Sequence, residues 1–224
     1  MKTYDFRAVL DDASKFNADF WTATGKPVFF SDPYRTVIDP RDLYIHLTHQ
    51  SRYAGAIQVP ILLHLAICVK IAKALKYDPR LVALCAAHDL HEAYCQDLTS
   101  GLKRQVPGYD ILEDEWMTRV HDAIGLPLPD MEEGAEEGAK VKLVDTLALW
   151  IETFSMGFPA HFAINSWCEV PESLQVKLQS IWKMMPNHPE HWMIVVTEAL
   201  NAGGANIPVM SRYPRLHPLC ESDT

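Results

Sequence analysis

Two apolar stretches of helical period, ILLHLAICVKIAKAL (61–75) and LVALCAAHDLHEAY (81–94), carry ionisable residues where a buried helix should have none. On the first, His64 shares a face with Ile67, Cys68 and Ile71. On the second, His88 lies with Leu81, Leu84 and Cys85, and Asp89 with Val82, Cys85 and Ala86. A carboxylate aimed into a core is prohibitive without a cation or several hydrogen bonds, so any fold of this chain has to bring a partner to Asp89. A third inward acid, Asp145, stands among Val141, Ala148 and Leu149 in KVKLVDTLALWIET, and Glu152 follows two turns later. Two imidazoles and two carboxylates from three helices make a mixed nitrogen and oxygen set without thiolate. Such a set suits a divalent Mn, Fe, Co, Ni, Zn or Mg ion and argues against a structural zinc cage.

The rest of the chain bounds what that set can serve. With 29 acidic against 20 basic residues the formal charge is −9, and no basic run occurs, which excludes a long nucleic acid as partner. A small anion held through a metal stays compatible with an acidic protein. The five cysteines are odd in number and form no CxxC pair, as expected of a reduced, cytoplasmic protein. The N-terminus lacks a secretory apolar region, and the longest apolar run, VPILLHLAICV (59–69), is too short to span a bilayer.

Strand signals are scarce, so the expected fold is all-α, with helices near 5–15, 41–53, 60–76, 79–94, 109–124, 137–156, 171–184 and 188–202. Asp78 and Pro79 read as N-cap and first helical residue. The segment 24–40 reads as extended or looped, MEEGAEEGAK (131–140) as a solvated loop feeding a helix N-terminus, and the tail from 203 as an arm along the surface. The 224 residues are expected to form a single domain.

His64, the His88–Asp89 pair and Asp145 resemble the H…HD…D signature of the HD-domain metal-dependent phosphohydrolases, an all-helical superfamily. AHDLHEAYCQDLTSGLK (87–103) is similar to the HD-A-x-EAY-x-GD-x-P-x-PLK stretch of bacterial and phage members related to the 5′-deoxynucleotidases, and SRYAG (51–55) to their RF-x-G element. The TGKPVFF segment and PGYDILEDEW (107–116) extend the likeness over residues 24–156, leaving 157–224 as a C-terminal helical extension that covers the pocket or forms a homo-oligomer contact. The resemblance implies an HD-domain helical bundle with a divalent metal at its centre, ligated by His64, His88, Asp89 and Asp145. It further implies Glu92 and Asp97 as catalytic acids, with Arg52 and Lys103 meeting a phosphate. Five positions break the pattern: Leu63 and Leu65 flank the first histidine, Gln96 replaces glycine, and Thr99 and Gly101 replace prolines.

The implied activity is removal of the 5′ phosphate chain from a small purine deoxynucleotide, in the manner of dATP triphosphohydrolases. The alternative within the family is a strict deoxynucleoside monophosphatase. Outside catalysis stand a nucleotide-binding HD regulator and a scaffold whose inward residues only bond one another. His46 and His49 assist phosphate binding or serve capping roles, the His188 and His191 pair belongs to a helix start, and Trp21 and Trp116 wall a base pocket or fill the core.

Overall fold

The computed structural model describes residues 18–130, 135–157 and 170–210. Helices dominate, and the described strands are the two-residue pair β1 (Phe20–Trp21) and β2 (Pro27–Val28), antiparallel with Phe20 opposite Val28. The helices are α1 (Pro40–His49), α2 (Ile61–Ala74), α3 (Pro79–Ala87), α4 (Glu92–Cys95), α5 (Ser100–Lys103), α6 (Tyr109–Ile124), α7 (Glu136–Ser155), α8 (Glu172–Met184) and α9 (Pro189–Ala202). The expected helix 5–15, part of the acidic loop and the end of the tail lie outside the described residues.

The middle of the molecule is α2, in which Leu62 and the run His64 to Val69 are wholly buried. That follows from its sequence, because a helix apolar on nearly every side finds a stable place only under neighbours on all sides. Helices α1, α3, α7, α8 and α9 surround it. Asp78 caps α3 by accepting from Leu81 N at 3.0 Å, with Pro79 at the first turn, as the sequence indicates. His188 caps α9, so its spacing to His191 reflects a helix start. Glu136 and Glu137 occupy the first turn of α7, where the helix dipole favours acid.

Two boundaries differ from expectation, and both position the site. The first helix does not continue to residue 53. Gln50 turns extended, Ser51 bridges Pro60, and Arg52 N donates to Val59 O at 2.9 Å. The loop so closed runs through three successive positive-φ residues, Tyr53 (60°), Ala54 (51°) and Gly55 (79°). The helix expected over 79–94 breaks at 88–91, where Leu90 N, Glu92 N and Ala93 N donate to the carbonyl three residues back. This tight turn stops His88, Asp89 and Glu92 from following one α-helical face.

Candidate metal centre

Every side chain at the centre is held by an identifiable local cause. His64 projects from the buried middle of α2, and its Nδ1–H donates to Glu152 Oε1 at 2.7 Å, both residues being wholly buried. His88 ends α3, where the carbonyl of Cys85 lacks a helical partner and accepts the His88 Nδ1–H at 2.9 Å. With both Nδ1 protons so committed, each ring turns an Nε2 lone pair toward the other at 3.3 Å. Two facing acceptors repel unless a proton or another cation sits between them.

Carboxylates surround the same point. Asp89 Oδ2 stands 3.2 Å from His88 Nε2 and 3.6 Å from His64 Nε2. Asp145 Oδ1 lies 3.5 and 3.9 Å from His64 and His88 respectively. Donors bound at about 2.1 Å to one ion stand about 3.0 Å apart along octahedral edges and about 3.4 Å along tetrahedral ones. The observed spacings sit at or just beyond that scale. The four residues singled out in the sequence as metal ligands are thus brought together. The imidazoles are also oriented as metal-bound histidines usually are, with the second nitrogen donating to a carboxylate or backbone carbonyl.

Arg52 enters from the turn after α1, not from a helix. Its Nη1 donates to Asp89 Oδ2 at 3.2 Å, while Nη2 and Nε stand 3.7 and 3.5 Å from Asp145 and Glu152. Tyr53, next in the chain, donates its hydroxyl to Glu152 Oε2 at 2.7 Å, so Glu152 gathers Tyr53, Arg52 and His64. Lys142 donates to the outer oxygen of Asp145 at 2.7 Å.

The charge balance explains the ionisation behaviour. Burial works against a charged His88, but Asp89 and Asp145 outweigh it and push its pKa up to about 9. Burial likewise opposes ionised Asp89, Asp145 and Glu152, yet the imidazoles, and Arg52 beside Asp89 and Glu152, hold all three below the usual carboxylate range. With His88 protonated, the three carboxylates are met in the core by one imidazolium and one guanidinium, and Lys142 pairs with the outer oxygen of Asp145 from the exposed side. A region that binds a proton so firmly has the field to hold a divalent cation.

The second group of sequence candidates is more dispersed. Glu92 is buried with Oε2 lacking a hydrogen-bond partner; burial, with Asp89 and Asp97 nearby, drives its pKa well up. Asp97 is also raised, by burial first and then by Asp89, against the pull of Arg52 and Lys103. Both fit a proton-carrying role. Lys103 bonds Glu113, whose carboxylate also stands 3.5 Å from His91 Nε2, so Lys103 is tied outside the four-atom cluster.

One residue not singled out as a donor in the sequence belongs here. Cys68 stands one turn after His64, its Sγ 3.5 Å from His64 Nε2, and His64, Cys68 and His88 form a group able to hold a metal ion. A thiol therefore stands beside the nitrogen and oxygen donors that the sequence singles out. The signal was present, since the spacing that turns His64 inward turns Cys68 with it. Burial first, then Asp145 and Glu152, keep this thiol protonated well above its ordinary range when no cation offsets them. Trp116 is wholly buried and stacked on Tyr94 at 4.8 Å, which makes it core and not a pocket wall. His46 braces the core by donating to Ala93 O at 2.7 Å and accepting from Ala23 N at 3.2 Å, and His49 bonds Ile45 O. A cleft of about 360 Å³ bordered by Leu63, Met156, Trp182 and Trp192 lies apart from these donors and has no titratable lining group.

Fold and site together define an all-α protein with a buried histidine-rich cluster that could hold a metal ion. By sequence the chain is similar to YfdR, an uncharacterised protein of Escherichia coli strain K12, at 28% identity over 139 residues, covering 61% of this chain and 71% of that protein. No family model matches the chain. No described helix is long and apolar enough to cross a membrane.

Proposed function

We propose that the chain is an HD-type, metal-dependent phosphohydrolase acting on small deoxynucleotides. The observation that carries this reading is the convergence of His64 Nε2, His88 Nε2, Asp89 Oδ2 and Asp145 Oδ1 from three separate elements, with both imidazoles pre-oriented by their Nδ1 bonds. A divalent ion held by these donors would supply Lewis acidity toward a phosphoryl oxygen and lower the pKa of water to near neutrality.

The chain's own residues supply the rest. Glu92 and Asp97, whose carboxyl pKa values burial raises above the ordinary range, accept and return protons beside Asp89. Arg52 brings a buried guanidinium to the edge of the cluster, where negative charge develops as a phosphate bond breaks. Lys103, held by Glu113, is a second cationic side chain near Glu92 and Asp89. The overall acidity of the protein disfavours a polymeric substrate and leaves a small nucleotide, whose charge one ion and two cationic side chains can meet. The lean toward a purine deoxynucleotide carrying more than one phosphate rests on the likeness of residues 87–103 to phage members of the superfamily.

The test is a panel of deoxynucleoside mono-, di- and triphosphates incubated with Mn, Co, Zn or Mg, scored for nucleoside and for phosphate chain length. Metal-dependent release of phosphate, pyrophosphate or triphosphate that disappears in Asp89→Ala supports the proposal. Equal rates in the two proteins refute it, as does a wild type that binds nucleotide and melts higher without consuming it.

A further inference from the structure

Cys68 differs from the other described cysteines in what its sulfur meets. Cys95 Sγ contacts a backbone carbonyl, that of His91, at 3.5 Å. Cys68 Sγ instead contacts His64 Nε2, the nitrogen turned toward the other donors, and it lies within 4.8 Å of a ring nitrogen of His88 as well. Buried free cysteines mostly serve as small hydrophobes. Here the sulfur stands against the cluster where donors of His64, His88, Asp89 and Asp145 converge.

We propose that Cys68 is a further donor to the cation, making the centre a nitrogen, oxygen and sulfur site that prefers zinc, cobalt or ferrous iron to magnesium or manganese. This rests on the reading of His64, His88, Asp89 and Asp145 as a metal centre and deepens it. Geometry supports the assignment: donors bound at about 2.1 Å (nitrogen) and about 2.3 Å (sulfur) to one ion stand about 3.1–3.6 Å apart. The Sγ to Nε2 separation of 3.5 Å falls inside that range. The rigid middle of α2 fixes both side chains at i and i+4, so no backbone movement is needed for joint ligation. On binding, the sulfur lone pair bonds the ion and the thiol proton leaves to solvent, since a coordinating thiol is deprotonated by its metal. A soft donor added to two imidazoles shifts selectivity away from hard, oxygen-seeking ions.

The experiment uses the full chain, stripped with chelator and titrated with Co²⁺, comparing wild type with Cys68→Ala and Cys68→Ser. The wild type is expected to develop an intense near-ultraviolet thiolate-to-cobalt band saturating at one ion per chain. Both variants should lose that band while keeping the weaker visible cobalt bands, and their preference for Zn²⁺ over Mn²⁺ in competition should fall about tenfold or more, the scale on which support of a metal site changes affinity. X-ray absorption at the zinc edge of the wild type gives an answer independent of variant folding, through a sulfur scatterer at about 2.3 Å. Cobalt uptake without the near-ultraviolet band, a band that survives in Cys68→Ala, or a zinc edge with only nitrogen and oxygen neighbours overturns the role of Cys68 and leaves the four-donor centre standing. Absence of any cobalt or zinc uptake overturns both.

Discussion

Glu152 illustrates how one buried side chain organises a site it need not touch directly. Its two oxygens accept from His64 and Tyr53, and Arg52 lies alongside, so it fixes the ring that presents Nε2 to the other donors. Replacing it with glutamine keeps the shape but removes the charge and leaves the His64 tautomer less firmly set. Glu152→Gln is therefore expected to weaken Co²⁺ or Zn²⁺ binding by about 10- to 100-fold, read by calorimetric titration; an unchanged affinity would remove Glu152 from the site. Gln96 makes the opposite case. It sits at φ 73° and ψ 153°, a conformation open at little cost only to glycine, and Tyr109 pins it by sharing its hydroxyl between Cys95 O and Gln96 O. The strain stands next to Asp97, as strain often does beside functional groups. Gln96→Gly relieves it at the expense of a looser unfolded chain, for an expected net gain of about 1 kcal/mol in urea unfolding. A loss of stability on this change would mean the Gln96 side chain contributes more than its backbone costs.

Between elements, one close approach is at the end of α9. A Cβ built on Gly203 would lie 2.2 Å from Ala83 Cβ and 2.7 Å from Pro79 O, so α9 meets α3 backbone to backbone at this point. Gly203→Ala must push the two helices apart and is expected to cost about 1–3 kcal/mol, visible as a lower urea midpoint. At the start of α1, Asp39 accepts from Arg41 N at 2.9 Å and pairs with Arg41 and Lys26, bonds that hold its carboxyl well below the ordinary value against mild desolvation. A depressed folded-state pKa means stability that is complete above the unfolded value of about 4 and is lost as pH falls below it. The stability gap between wild type and Asp39→Ala, about 1–2 kcal/mol at neutral pH as for other N-caps, should narrow below pH 4. A gap constant down to pH 2 would show that the carboxyl charge plays no part. Most helices were legible because caps such as Asp78 and Pro79 and the 3.6-residue apolar rhythm are local signals. The break at 88–91 and the end of α1 at His49 were not, since no glycine or proline marks either, and both are set by what they pack against. The inward donors were visible one helix at a time; that Arg52, Tyr53 and Glu152 join them is a tertiary fact that spacing does not encode.

At the scale of the molecule, the question is whether a cation is needed to fold or only to function. The core around α2 is continuous through α1, α3, α6, α7 and α9, and a chain of this size buries enough apolar surface to fold without a staple. Metal-free protein should therefore remain folded, unlike small domains whose folding depends on metal. A cation held as proposed would nonetheless join residue 64, the 88–89 pair and residue 145, which are far apart in an unfolded chain and cannot hold it there together. Binding only to the native state stabilises by about 2.7 kcal/mol when the free ion is at about 100 times its dissociation constant. For a domain of this length each kcal/mol moves the melting temperature by about 2–4 °C, so chelator-treated protein given Zn²⁺ or Co²⁺ should melt about 5–10 °C higher. Asp145→Ala alters the resting stability by loosening Arg52 and Lys142, but the informative quantity is the metal-induced increment, which should vanish whatever the starting melting temperature. An increment that persists in Asp145→Ala would place the ion elsewhere, and no increment in the wild type would leave Arg52, Lys142 and the His88 proton as the cluster's counter-charge.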